Sequence, residues 1–147
     1  MLRLHAYSNN PDHRKIAEST LAAFAGIAEQ YGLFAATYGI ALDMLLHPHT
    51  QVVIAGSGPA AEKLKAAAVA PFSFHKSVLH LPEGEVVPQM LPPSFAETIP
   101  NLPGIKQKKT VAVLCSNFTC QPPIADADAL TKQLVEALRV PAVLSRA

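Results

Sequence analysis

Three short apolar runs, each closed by a turn former, set the tightest limits on what this chain can fold into. They are residues 51–56 (QVVIAG), 76–81 (KSVLHL) and 110–115 (TVAVLC), followed or ended by Gly56, Pro82 and Asn117. Their length and their β-branched and aliphatic content read as buried strands of a parallel sheet. A helix is expected at 59–69, and a closing helix at 126–138, with Asp126 or Asp128 as its cap and Lys132 and Arg139 toward its C-terminal end. Residues 82–109 are rich in proline and form a long connection with only a short helical turn near 94–98. This order predicts an α/β fold: a small three-stranded parallel sheet with flanking helices and right-handed crossovers.

Ahead of the sheet lies a different pattern. Asn10 can cap a helix that has Pro11 in its first position, and Ile16, Leu21, Phe24 and Ile27 recur at near-helical spacing, which predicts a helix over 11–31. Gly32 stops it. Residues 33–46 leave almost no polar stripe, so a second helix there is expected to be buried on most sides. The pair reads as an αα-hairpin too apolar to satisfy itself. Two segments follow, a helical hairpin at 1–48 and an α/β segment at 49–147, and the hairpin is expected to be a piece of a larger helical array.

Composition narrows the function classes. The 147 residues carry a formal net charge of +1, and 16% of them are charged, so no excess of either sign points to nucleic acid or an acidic membrane surface. Two cysteines do not make a secreted disulfide framework, and no signal-peptide pattern opens the sequence. The apolar stretch 33–46 is shorter than the roughly 20 residues that span a bilayer and contains Asp43. A soluble, cytoplasmic protein is expected.

Two motifs fall where ligands sit in open parallel sheets, beyond strand ends. Residues 56–61 (GSGPAA) match G-x-G-x-x-A, which makes Gly56, Ser57 and Gly58 a candidate anion site; a tight strand-to-helix turn explains the same glycines without a ligand. The second motif is a candidate thiol loop, Cys115, Asn117, Phe118 and Cys120, in which Asn117 suits a tight turn and Phe118 an anchor to the core. A disulfide or redox chemistry, metal binding and plain packing all remain open for it. Four intervening residues do not form the C-x-x-C redox motif, and a zinc set would need His47 and His49, or His75 and His80, to converge on the cysteines. No Ser-His-Asp spacing, HExxH or P-loop is present, so no catalytic residue, metal ligand or cofactor is assigned.

The string CSNFTCQPP followed by ADADALTKQL resembles the C-terminal signature of the YyaL-like thioredoxin-domain proteins, the spermatogenesis-associated protein 20 family. ALDMLLHPHTQVVIAG, residues 41–56, is similar to that family's junction between its last helices and its C-terminal α/β segment. The resemblance implies a parent protein of unestablished activity, with a thioredoxin-like domain followed by a helical toroid related to six-hairpin glycosidases. Residues 1–48 would then close the toroid, and the rest of the parent would be the partner. Taken alone, the segment is expected to be non-catalytic and to form homo-oligomers. The thioredoxin-like domain's own cysteines lie elsewhere, so the resemblance gives Cys115 and Cys120 no share in its role, and GSGP departs from the aspartate-containing turn of the family.

Overall fold

The computed structural model describes residues 1–116 and 119–139. The chain begins with helices α1 (Leu2–Ser8) and α2 (Pro11–Phe24), a 3-10 segment (Ala28–Ala35) and α3 (Ala36–Leu46). Asn10 does cap α2, its Oδ1 accepting the Asp12 N–H at 2.9 Å, with Pro11 in the first turn. Helix α2 ends at Phe24 rather than running to residue 31, and the chain turns through Gly32 at φ +49°. Glycines at 26 and 32 lower helix propensity here, and no packed surface pulls the segment straight.

The α/β class holds, with strands β1 (Thr50–Ala55), β2 (Lys76–Leu81), β3 (Val111–Ser116) and the short β4 (Thr119–Cys120). Helix α4 (Pro59–Val69) joins β1 to β2, the short helices α5 (Pro93–Ala96) and α6 (Pro103–Lys106) lie in the long connection, and α7 (Ala127–Leu138) closes the fold. The sheet order is β2-β1-β3-β4. The expected three-stranded parallel sheet is corrected to a four-stranded mixed one: β1 and β2 are parallel, whereas β3 runs antiparallel to β1 and β4 antiparallel to β3. The connection from β2 comes back to the end of the sheet where β1 finishes, putting Thr110 against Gly56 and pairing Val111 with Ala55. From there β3 can only run backwards along β1.

The alternation of a strand sorts its side chains into two cores. Val52, Ile54, Ala112 and Leu114 pack under Ala61, Leu64 and Ala68 of α4 and Leu130 and Leu134 of α7. On the opposite face Val53, Val113, Leu81 and Cys115 meet Leu91, Phe95 and Ile99 from the connection, with Tyr7 of α1 at the margin. Asp126 caps α7, its Oδ1 accepting the Ala129 N–H at 2.8 Å. Lys76 closes the other end of α4: its ammonium donates to the carbonyls of Ala68, Val69 and Pro71, and burial pulls its pKa below the ordinary lysine value.

The hairpin attaches to this body chiefly through α1. Gln51 Nε2 donates to the Ala6 carbonyl at 2.9 Å, and Ser94 Oγ donates to the carbonyls of Ala6 and Tyr7. The expectation that the second helix is buried on most sides is not met. No residue of the 3-10 segment or of α3 is fully buried, and Leu33 and Phe34 are 89% and 95% exposed.

Candidate functional site

The β3–β4 register sets Cys115 directly opposite Cys120, and the two sulfurs are bonded. Ladder bonds flank the pair, with the Gln121 N–H donating to the Leu114 carbonyl at 2.8 Å and Ala112 and Ile124 exchanging bonds beyond it. Cys115 is 2% exposed and Cys120 half-buried, both on the core face that holds Val53 and Phe95. Of the alternatives the sequence leaves open for these cysteines, the structure therefore shows a disulfide, and neither sulfur is a thiolate able to ligate metal in this state. Asn117 and Phe118 lie outside the described residues.

Cys115 also forms part of the wall of a cavity of about 260 Å³ between α1, the end of α3 and the sheet, which His5, Arg14, His47 and His49 line as well. Burial, together with the nearby charges of Arg3 and His75, lowers the His49 pKa to about 4, so its ring is neutral at physiological pH. Its Nε2 shares a hydrogen bond of 3.1 Å with Ser77 Oγ.

Beside that cavity, Asp43 collects two imidazoles. His47 Nδ1 lies 2.9 Å from Asp43 Oδ1, and His75 Nδ1 lies 3.2 Å from Oδ2, with the two rings stacked at 5.4 Å. One ligand atom from each of the three residues falls within 4.8 Å of the others. The pairing of Asp43 with His47 at i, i+4 on α3 was visible in the sequence, whereas His75 arrives from the residue before β2. The sequence reading instead paired His47 with His49 and His75 with His80. His80 stands apart, its Nε2 donating to the Gly56 carbonyl at 2.9 Å.

The turn at Gly56, Ser57 and Gly58 does sit between β1 and α4, with Gly56 at φ +124° and Gly58 at φ +80°. Some of its groups are used by the chain itself. Ser57 Oγ accepts the Glu83 N–H at 3.1 Å, the Gly56 N–H donates to Leu81, and the Gly58 carbonyl accepts from Glu62. A Cβ on Gly56 would stand 2.9 Å from Thr110 Cα, so close approach explains this glycine without a ligand. The sequence reading missed the lysines: Lys106, Lys108 and Lys109 line a cavity of about 480 Å³ with Gly56, Ser57 and Glu83. The run KQKK, residues 106–109, was the available signal.

No protein-family model, curated protein or solved structure matches the chain. Among the described residues no helix is long and apolar enough to cross a membrane.

Proposed function

We propose that this chain is a non-catalytic docking segment, the C-terminal part of a larger cytoplasmic protein built from a thioredoxin-like domain and a helical toroid. One observation supports the reading most: the hairpin turns Phe24, Tyr31, Leu33, Phe34 and Leu46 to solvent, although the central strands β1 and β3 of the sheet are buried on both faces. Large apolar side chains exposed together on one segment in this number mark an interaction surface. The occupant that fits it is another apolar helical hairpin, which in the parent would be the preceding hairpin of the toroid. Leu33 and Phe34 would each contribute about 1.5–3 kcal/mol on full burial. In this role the disulfide is scaffold, and the burial of Cys115 shields it from cytosolic thiols.

The isolated chain would satisfy the same face with a second copy. Sedimentation velocity across a concentration series is expected to show a dimer or larger species that Leu33→Asp with Phe34→Asp converts to monomer. A monodisperse monomer at high concentration would contradict the docking role. The architecture is tested on the gene, where an in-frame thioredoxin-like domain is expected ahead of the codon for Met1 and an in-frame stop codon there would remove it.

A second reading, anion binding at Gly56, Ser57 and Gly58, is favoured by the three lysines that line one cavity with Gly56 and Ser57. A rise in Tm with inorganic phosphate or nucleotides supports it, and no shift counts against it.

A further inference from the structure

We propose that Asp43, His47 and His75 form a binding site for a zinc-class divalent cation that fastens the helical hairpin to the sheet. The donor set is two imidazole nitrogens and one carboxylate, the chemistry that borderline cations such as zinc take and that magnesium and calcium, which prefer all-oxygen sets, do not. The spacing fits as well. Tetrahedral zinc with bonds of about 2.0–2.1 Å keeps its ligand atoms roughly 3.4 Å apart. The Nδ1-to-carboxylate distances here are 2.9 and 3.2 Å, a few tenths of an ångström short of that, and one ligand atom from each of the three residues lies within 4.8 Å of the others.

The scaffold holds these donors in place from two directions. Asp43 and His47 share one face at the C-terminal end of α3, where the His47 N–H donates to the Asp43 carbonyl at 3.0 Å. His75 is fixed by its own carbonyl, which accepts the Thr50 N–H at 2.8 Å and so ties it to β1. The side chains remain reachable, with exposures of 36% for Asp43, 19% for His47 and 11% for His75. Three protein ligands leave a fourth position for water or a small ligand, and His47 also borders the 260 Å³ cavity. Without the cation, His75 Nδ1 hydrogen-bonds the Asp43 carboxylate at 3.2 Å, while His47 Nδ1 donates to the Asp43 backbone carbonyl at 3.0 Å and lies 2.9 Å from its carboxylate. Binding at Nδ1 shifts each neutral ring to its other tautomer, with the proton carried on Nε2 and the Nδ1 lone pair on the metal.

The test uses the full chain, stripped with EDTA and titrated with zinc chloride in a calorimeter. One equivalent of zinc is expected, with a rise in Tm of about 5 °C or more at saturating zinc. Cobalt(II) is expected to give the visible absorption of a tetrahedral site without a thiolate charge-transfer band, since the cysteines are not ligands. Asp43→Asn and His47→Gln, both at partly exposed positions, should keep the far-UV spectrum and weaken zinc binding by more than the roughly 10–100-fold that losing a hydrogen-bond partner of a ligand costs. No saturable heat with the parent chain overturns the site. Zinc binding that survives unchanged in His47→Gln overturns it too, because the cation is then held elsewhere.

Discussion

Opening the Cys115–Cys120 bond is the perturbation that best separates a scaffold from a reactive centre. The bond closes a loop with a sequence separation of 5, the span of one two-strand hairpin. Loop-closure entropy for a loop of about six residues is worth roughly 2 kcal/mol, removed from the unfolded chain. For a chain of this length each kcal/mol moves Tm by about 2–4 °C, so reduction or Cys120→Ser should lower Tm by about 4–8 °C. The native hairpin keeps its ladder, since the bonds between Ala112 and Ile124 and from Gln121 to Leu114 do not depend on sulfur. After reduction, Cys115 should therefore stay buried and alkylate slowly, while Cys120 reacts first. The assay is thermal melting with and without a phosphine reductant, followed by mass spectrometry of the alkylated cysteines over time. An unchanged Tm, with Cys115 alkylating as fast as a cysteine in an unfolded peptide, would refute the scaffold role and leave a labile, reactive pair.

Other consequences are local. Gly56→Ala should destabilise the fold by about 2 kcal/mol or more in urea unfolding, because its φ is +124° and the new Cβ would meet Thr110 Oγ1 at 2.5 Å as well as Thr110 Cα; a neutral effect would mean the turn is loose. His49 gives stability a pH dependence whose sign is fixed. Its pKa is about 4 when folded and 6.5 otherwise, so between those values the unfolded chain binds the proton and the folded one does not. Stability should fall as pH drops from about 6.5 toward 4, by at most roughly 1.4 kcal/mol per pH unit, and His49→Asn should flatten that slope when both are melted in EDTA.

Local signals carried most of the secondary structure. Pro59 in the first turn, Asp126 as a cap and the β-branched run before Gly56 each state an element boundary within a few residues, and the structure places α4, α7 and β1 there. The direction of β3 was not legible, because TVAVLC reads the same whichever way it pairs. What decides it is the contact of Thr110 with Gly56, made across a long connection. The 3-10 segment escaped for a related reason: the apolar spacing of 27–34 is helical, but no neighbouring surface rewards a straight helix and two glycines weaken it. At the candidate site, the i, i+4 spacing of Asp43 and His47 and the lysine run were on view. Their partners His75 and Gly56 join them only through the packing of the sheet.

The central claim is that the sheet is self-sufficient and the hairpin is not. Hydrogen exchange of the full chain, followed by mass spectrometry at a concentration low enough to keep it monomeric, tests this directly. Amides in 28–46 are expected to exchange orders of magnitude faster than those of β1 and β3, which should be protected to the level of global unfolding. Equal protection of the hairpin and the sheet in the monomer would contradict the account, because the helices would then need no partner to be stable.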